Sequence, residues 1–179
     1  MTIDGYATHM QILSWVVETF KPKRILELGV GRHSTKYLLD HAESLTSVET
    51  TKKEWLDIVR REFGSHDSWT SLYAFRDQWL EQALKQSWDM VFVDCDEVSR
   101  PMWASKLQSV CPLIICHDTE CQAYGWRSVT LNENFVWLDC TEQIQWTSII
   151  TSNPEVVTSC LKKWSSYAIG SIRQKQFLF

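Results

Sequence analysis

Residues 24–35 read Arg24-Ile-Leu-Glu-Leu-Gly-Val-Gly-Arg-His-Ser-Thr35 and combine a short apolar run with a glycine turn. The two glycines, Gly29 and Gly31, allow a tight turn and a close approach of the backbone to a ligand. Ser34 and Thr35 can lie near the start of the next helix. Because position 34 is serine, the third glycine of G-x-G-x-x-G is missing, which weakens a pyrophosphate-binding interpretation. The stretch predicts a strand, a turn and a helix that together accommodate a nucleoside-bearing ligand.

The chain around this stretch alternates apolar runs with segments of helical periodicity. Such alternation is typical of βαβ units and of a parallel sheet covered on both faces. It predicts an α/β fold, a Rossmann-like three-layer sandwich with a mostly parallel sheet. The predicted strands are residues 24–30, 45–49, 72–76, 90–94 and 113–116, and the predicted helices between them are residues 33–40, 52–63, 77–85 and 101–110.

The two ends of the chain depart from this alternation. Residues 6–20 place apolar side chains at helical spacing before Pro22, so we expect a helix ahead of the first strand. Residues 135–139 and 146–151 are apolar runs too close together for a crossover helix. Closely spaced strands can pair antiparallel. We therefore expect an antiparallel strand near the C-terminus.

The chain length of 179 residues is that of one ordinary domain. Asn153 and Pro154 begin a last predicted helix towards Lys163, and the tail at 167–179 is either a short strand or an arm. The predicted organisation is a single domain over residues 1–179, with an N-terminal helix in 1–22, a core in 23–151 and a C-terminal helix and tail in 152–179.

Composition and charge exclude several classes of function. The formal net charge is −4, and basic residues form no stripe that would neutralise a phosphate backbone, which disfavours nucleic acid as a partner. No apolar run approaches the roughly 20 residues that cross a bilayer, and the N-terminus lacks the plan of a signal peptide. We expect a cytoplasmic protein with no membrane partner.

The six cysteines never fall in a C-x-x-C spacing, and a chain of this length needs no disulfide framework. Reduced thiols are the favoured interpretation. Cys111, Cys116, His117 and Cys121 form a sequence cluster that leaves a zinc site as an alternative, although its C-x4-C spacing differs from that of paired zinc knuckles.

Acidic residues accompany all five predicted parallel strands. In open parallel sheets, ligands bind at the carboxyl ends of the strands, near the point where the strand order reverses. A carboxylate about twenty residues after a glycine turn can accept hydrogen bonds from ribose hydroxyls. Polar residues are common at exposed strand ends, but chance explains the whole set poorly. The acidic residues are Glu27, Glu49, Asp77, Asp94 with Asp96 and Glu97, and Asp118 with Glu120.

Residues 24–39, with Glu49 and Asp94, resemble the class I S-adenosylmethionine-dependent methyltransferases, and the resemblance covers roughly residues 20 to 120. Within that superfamily, the segments Phe92-Val-Asp-Cys-Asp-Glu-Val98 and Leu113-Ile-Ile-Cys-His-Asp-Thr119 are similar to those of small-molecule O-methyltransferases. The first motif is shared widely, and the second pair is narrower. The resemblance implies S-adenosyl-L-methionine as the cofactor.

The resemblance also implies roles for individual residues. Glu27, Gly29 and Gly31 would line the pocket for the methionine part of the cofactor. Glu49 would bind the ribose, and Asp77 falls where the family places an acid that contacts adenine. The complete candidate cofactor-binding set is Glu27, Gly29, Gly31, Ser34, Glu49, Asp77 and Asp94.

A metal and a base are implied in the same way. In metal-dependent relatives, acids at the positions of Asp94 and Asp118 bind a divalent cation, and hard oxygen ligands suit Mg²⁺. The neighbours of Asp118 are His117 and Thr119, so the usual companion Asn, Asp or Glu is missing. The base of some relatives falls at Glu97. His117 is equally consistent with a base and with a buried histidine bonded to a carbonyl. Glu97 and His117 are the candidate catalytic residues.

These observations favour a methyltransferase that acts on the hydroxyl group of a small molecule. A methyltransferase-like domain that binds cofactor or a partner without transferring a methyl group is the alternative, and a nicotinamide-dependent oxidoreductase is disfavoured by the missing glycine. A second copy of the chain, as a homodimer, is one way to complete the pocket. Trp69, Trp103 and Trp126 would either shape an apolar lid or pack in the core.

Overall fold

The structure is a computed structural model that describes residues 7–75, 78–141, 145–164 and, as backbone, 172–175. Within these residues the chain folds into one sheet flanked by helices. The strands are β1 Arg24–Leu28, β2 Ser44–Glu49, β3 Trp69–Tyr73, β4 Met90–Val93, β5 Leu113–His117, β6 Val136–Cys140, β7 Thr147–Thr151 and β8 Ile172–Lys175. The helices are α1 Met10–Phe20, α2 Arg32–His41, α3 Lys53–Phe63, α4 Leu80–Ala83, α5 Arg100–Lys106 and α6 Pro154–Trp164.

The sheet has eight strands in the order β3-β2-β1-β4-β5-β7-β6-β8. Strands β1 to β5 are parallel, whereas β7 pairs antiparallel with both β5 and β6, and β8 pairs antiparallel with β6. The chain moves outward from β1 to β3 and then returns to place β4 on the other side of β1. The strand order therefore reverses between β1 and β4, which is where ligands bind in open sheets of this kind. The predicted α/β fold class, with its antiparallel strand near the C-terminus, is confirmed.

Alternate residues of the central strands pack on opposite faces of the sheet, as the period of two requires. On one face Leu26 and Val91 pack against Trp103 of α5. On the other face Ile25 and Phe92 belong to the core that α1, α2 and α6 complete. Glu27 alternates with Leu26 and Leu28, so its carboxylate lies on the face covered by α1 and α2.

Several predicted boundaries differ from the structure. β1 ends at Leu28 instead of residue 30, because Gly29 has a φ of +90° and leaves the extended conformation. β3 begins at Trp69, three residues before the predicted 72–76, since it pairs in register with β2 from Leu45 onward. α4 is one short turn, Leu80–Ala83, in place of a helix over 77–85.

A further difference lies at the N-terminus. α1 begins at Met10, and the described residues before it, 7–9, form a turn instead of the first turn of a helix. This turn carries Thr8 and His9 towards the carboxyl ends of β4 and β5. Of the predicted tail at 167–179, the structure describes β8, and the other tail residues lie outside the described residues.

None of the six cysteines, all of which the structure describes, forms a disulfide, and five of them are buried. Burial raises the pKa of the Cys111 thiol to about 12, as expected for a thiol that serves as a small apolar side chain. None of the helices in the described part of the chain combines the length and the apolar character that a membrane span requires.

Candidate functional site

The glycine turn at the end of β1 is packed against the neighbouring strand so closely that only glycine fits. Gly29 has a φ of +90°, and a Cβ atom there would lie 2.1 Å from the carbonyl oxygen of Asp94. The amide of Gly29 donates to the carbonyl of Val48, and the amide of Asp94 donates to the carbonyl of Leu28, both at 2.8 Å. The turn is therefore locked between β2 and β4, at the point where the strand order reverses.

The side chain of Glu27 stabilises the loop that follows β1. The carboxylate is fully buried and accepts hydrogen bonds from the hydroxyls of Ser34 at 2.7 Å, Thr35 at 2.8 Å and Ser47 at 2.7 Å. The Thr35 hydroxyl in turn accepts from the amide of Gly31 at 3.1 Å. Burial raises the pKa of Glu27 to about 7 despite these three donors. Glu27 and Ser34 thus fix the shape of the loop, and a direct contact of either one with a ligand remains a prediction.

Glu49 ends β2 beside the same turn. Its Oε2 atom accepts from the amide of Val30 at 3.1 Å, and its Oε1 atom accepts from the amides of Thr51 at 2.7 Å and Lys52 at 3.0 Å. A carboxylate has about four lone-pair positions, so these described contacts leave one on Oε2. Glu49 ties the loops after β1 and β2 together and keeps an acceptor position for a hydroxyl group. Asp77, the predicted adenine contact, lies outside the described residues.

Trp55 of α3 closes the outer side of the loop. Its indole donates to the carbonyl of Val30 at 2.6 Å, and the guanidinium of Arg32 lies over its ring at 5.4 Å. His33 is exposed at the start of α2. Burial is the main cause of the lowered pKa of His9, and the charge of nearby His33 lowers that pKa further. The sequence placed His33 near the ligand, and its position on the rim of the loop is compatible with that expectation.

A second group of charged residues follows β4 and β5, and Arg100 joins its members. The guanidinium of Arg100 pairs with Asp94 at 3.0 Å and with Asp118 at 2.9 Å. It also donates to the carbonyls of Cys95 at 2.8 Å and His117 at 3.0 Å. Only 8% of its side chain is exposed, so the pair of carboxylates already has a buried cation between its members.

This arrangement does not fit the predicted magnesium site at Asp94 and Asp118. Mg²⁺ requires near-ideal octahedral geometry from oxygen ligands, whereas here the guanidinium of Arg100 bridges the two carboxylates. Although burial raises the pKa of Asp94, the hydrogen bond from His117 and the charges of His117 and Arg100 bring it below its ordinary value. Asp94 is thus kept ionised by protein groups.

Asp118 adopts a left-handed backbone conformation, with a φ of +57°. Such a conformation is uncommon for a residue with a side chain, and it is enriched at ligand-binding positions. The indole of Trp126 donates to the Asp118 carbonyl at 3.0 Å and stabilises this conformation. The Oδ1 atom of Asp118 is buried and has no hydrogen-bond partner among the described residues, and it lies 3.6 Å from Nε2 of His117.

His117 lies between two polar partners. Its Nδ1 atom is 3.2 Å from Oδ1 of Asp94, and its Nε2 atom is 2.9 Å from the hydroxyl of Thr8. The Thr8 hydroxyl donates to the side-chain oxygen of Gln145 at 2.8 Å, so it accepts a hydrogen bond from Nε2. The sequence left His117 either as a base or as a buried histidine bonded to a carbonyl. Among the described residues, its ring nitrogens bond to Asp94 and Thr8 and not to a carbonyl, so these three residues form a hydrogen-bonded row.

Glu97 is not brought into this group. It is exposed on the loop after β4 and makes no hydrogen bond or ion pair with any residue that the structure describes. Its charge acts on Tyr124, whose ring lies 4.8 Å from the guanidinium of Arg100. Glu97 therefore lies at the rim, outside the row formed by Thr8, His117 and Asp94, and its role as a base remains a prediction.

Thr8, His9 and Arg100 are not among the site residues that the sequence predicts. His9 is 3% exposed, its ring centroid is 4.8 Å from that of His117, and burial lowers its pKa to about 4. No local pattern marks Thr8 or His9, because their partners lie about a hundred positions away. Arg100 had a signal: a cation in the first turn of a helix is unfavourable and calls for an acidic partner.

The three tryptophans considered for a lid are packing residues. Trp103 is fully buried, and Trp126 is 5% exposed beneath Asp118. Trp69 donates to the Ser47 hydroxyl at 3.0 Å, and the same hydroxyl donates to Glu27 beneath the glycine turn. An open groove of about 660 Å³ runs along α5, where Val98, Met102 and Asn132 contribute to its wall, but the glycine turn does not line it.

Solved methyltransferase structures share this arrangement of strands and helices. A candidate caffeoyl-CoA O-methyltransferase from Staphylococcus aureus is similar with a TM-score of 0.65 and 9% identity, over 84% of this chain and 85% of that chain. For cofactor-bound Rv0187 from MTB the TM-score is 0.65 and the identity 14%, over 85% of this chain and 83% of that chain. For SAH-bound methyltransferase PaMTH1 from Podospora anserina the TM-score is 0.60 and the identity 16%, over 75% of this chain and 74% of that chain.

No family model matches the chain, and no curated protein is similar to it at the level of sequence. At such low identities the likeness establishes the fold alone. The protein has the Rossmann-like fold of S-adenosylmethionine-dependent methyltransferases, O-methyltransferases among them, and the resemblance seen in the sequence is confirmed at that level.

Proposed function

We propose that this protein is an S-adenosylmethionine-dependent methyltransferase that methylates a hydroxyl group of a small molecule. The observation that carries the proposal is the glycine turn locked against Asp94, with Glu49 beside it, at the reversal point of the sheet. The shared fold supports the proposal, and so does the cofactor or SAH bound in two of the similar structures.

The cofactor would lie across the loops after β1 and β2. Gly29 and Gly31 let the backbone approach the methionine part, and the remaining lone pair on Oε2 of Glu49 accepts a ribose hydroxyl. Glu27 acts indirectly, because its three hydroxyl contacts hold the loop in shape. Asp77 remains the proposed contact of the adenine.

The acceptor would lie beside His117 and the two acids. Bound S-adenosylmethionine supplies an electrophilic methyl group, so the protein has mainly to align the acceptor oxygen and receive its proton. An acceptor hydroxyl that displaces the Thr8 hydroxyl would meet Nε2 of His117. In that state the ring proton would lie on Nδ1 and be donated to Asp94, which leaves Nε2 without a proton and able to receive that of the acceptor. The unpartnered Oδ1 atom of Asp118 accepts a second hydroxyl of the acceptor.

A methyltransferase-like domain that binds cofactor but transfers nothing is the second candidate function. Arg100 favours it, because the guanidinium occupies the space between the acids that would otherwise face an acceptor. The Thr8 hydroxyl, which covers Nε2 of His117, favours it as well. For both candidate functions we propose a small molecule as the binding partner. We also propose that the protein lies in the cytoplasm and assembles as a homodimer.

Calorimetry with S-adenosylhomocysteine tests the cofactor half of the proposal. We expect binding to the wild-type protein, no binding of NAD, and a loss of affinity on the order of tenfold or more in Glu49→Gln, because the charge-assisted hydrogen bond to the ribose is removed. Glu43→Gln is the matched control, since Glu43 is an exposed residue paired with Lys23. No binding to the wild type, or equal affinity in Glu49→Gln and Glu43→Gln, would contradict the proposal.

A product assay separates the two candidate functions. Wild-type protein and His117→Gln are incubated with S-adenosylmethionine and a panel of hydroxylated metabolites, and methylated products are detected by mass spectrometry. Products formed by the wild type and lost in His117→Gln support the methyltransferase. Tight cofactor binding without any product supports the silent domain.

A further inference from the structure

His9 is a buried imidazole that has no hydrogen-bond partner among the residues that the structure describes. It is 3% exposed, and neither Nδ1 nor Nε2 bonds to any described residue. Buried polar groups in folded proteins are almost always paired, so an unpaired one calls for a ligand such as a water molecule or an ion. Its ring lies edge-on to His117, with the centroids 4.8 Å apart, and contacts Phe92 at 5.0 Å. The two ring nitrogens of His9 therefore lie near the carboxyl ends of β4 and β5.

Two further ligand groups lie within reach of this imidazole. One ligand atom each from His9, Asp94 and His117 can be chosen so that all three lie within 4.8 Å of one another. Ligand bonds to zinc are about 2.0–2.2 Å long, which places tetrahedral ligands about 3.4 Å apart. Side-chain rotations that bring the ligand atoms up to about 1.4 Å closer together would close the set. Oδ1 of Asp94 is already bonded, but Oδ2 makes no hydrogen bond to a described residue.

The charges of the surrounding groups admit a divalent cation. Asp94 and Asp118 contribute two negative charges, and Arg100 contributes one positive charge, so these three groups carry a net charge of −1. Two imidazoles and one carboxylate suit zinc, iron, cobalt or nickel better than magnesium. This donor set differs from the magnesium set implied by the sequence resemblance, because His9 and His117 take the place of Asp118 and its neighbour.

We propose that His9, Asp94 and His117 form a binding site for one divalent transition-type metal ion, with an open coordination position towards the proposed acceptor site. The three residues come from the turn before α1 and from the ends of β4 and β5. The ion would use a nitrogen of His9 that has no partner among the described residues, and it would replace one of the two hydrogen bonds that His117 makes to Asp94 and Thr8. It would connect the N-terminal turn to the sheet. The site does not depend on methyl transfer, so its test is separate from that of the proposed function.

Metal titration of the chelator-treated protein tests this site. Zn²⁺ is titrated by calorimetry, and Co²⁺ by visible absorption, which reports the geometry and the ligand type. We expect one equivalent to bind to the wild type, with a cobalt spectrum of nitrogen and oxygen ligands. In His9→Phe, which keeps an aromatic ring beside Phe92, we expect affinity to fall by about 100-fold or more, since even outer-shell changes cost 10–100-fold. The matched control His66→Phe, at an exposed position, should bind as the wild type does.

Three outcomes would overturn the proposal. They are no metal binding by the wild type, equal affinity in His9→Phe and His66→Phe, and a cobalt spectrum with sulfur-to-metal charge transfer, which would place the ion on cysteines. Because His9→Phe could disturb folding, His9→Gln is measured as well, and thermal unfolding of each variant in chelator shows whether it is folded. Calorimetry with S-adenosylhomocysteine on the same samples reports the cofactor site independently.

Discussion

Replacement of Gly29 by alanine tests whether the glycine turn is held as described. The new Cβ atom would lie 2.1 Å from the carbonyl oxygen of Asp94, 2.5 Å from its carbonyl carbon and 2.8 Å from the amide nitrogen of Cys95. All three are backbone atoms, next to the central strand β4. Backbone atoms cannot move aside by a change of side-chain rotamer, so the glycine turn and the end of β4 must separate.

The magnitude follows from two contributions. Alanine in a left-handed backbone conformation costs about 1–2 kcal/mol, and forcing extra atoms into a packed site costs about 1–3 kcal/mol more. We therefore expect Gly29→Ala to lower the free energy of unfolding by about 2–5 kcal/mol, a large part of the roughly 5–15 kcal/mol of a typical domain. Because the displaced turn is the proposed cofactor loop, affinity for S-adenosylhomocysteine should fall in the same variant.

Gly125→Ala is the matched control. Gly125 has a φ of +72°, but a Cβ atom there would meet nothing within 4 Å. This variant should therefore show only the backbone cost of about 1–2 kcal/mol and bind S-adenosylhomocysteine as the wild type does. Urea unfolding of the two variants separates the contact from the strain. Equal destabilisation of Gly29→Ala and Gly125→Ala, with cofactor affinity unchanged in both, would refute the reasoning.

Three further predictions concern the network around the site. The pKa of Glu27 is about 7 in the folded protein and 4.5 in the unfolded chain, so between these pH values the folded protein holds a proton that the unfolded chain has lost. As the pH rises through this window, the free energy of unfolding should fall by about 3 kcal/mol. Urea unfolding of Glu27→Gln should lack this decline, and identical pH profiles for the variant and the wild type would count against it. Arg100→Met leaves two partly buried carboxylates without their cation and should cost about 3–5 kcal/mol in urea unfolding; a loss below about 1 kcal/mol would show that the ion pairs are not formed. Thr8→Val removes the hydroxyl that accepts from Nε2 of His117 and should cost about 1 kcal/mol; an unchanged ¹⁵N signal of Nε2 in an NMR spectrum would argue against this contact.

The sheet was predictable because its information is local. Strands such as Met90–Val93 and Leu113–His117 are buried on both faces and read as unbroken apolar runs in the sequence. The edge strand β3 was misplaced by three residues, because it is only half-buried and its alternation is weak. Its register is determined by pairing with β2, which no local pattern reports.

The site was predictable where the topology fixes it. Glu49, Asp94 and Asp118 follow strands, so an open parallel sheet brings them to one edge. The partners of these acids were not predictable in the same way. Arg100 and His9 reach Asp94 and His117 only through the packing of the chain. In place of the expected magnesium site, that packing puts a buried guanidinium and an imidazole that has no partner among the described residues.

A crystal structure of the protein grown with S-adenosylhomocysteine tests the central claim most directly. The account predicts a ligand across the turn at Gly29 and Gly31, with a ribose hydroxyl within hydrogen-bond distance of Glu49. A protein that takes up no ligand there, or that binds it only in the groove along α5, would contradict the account.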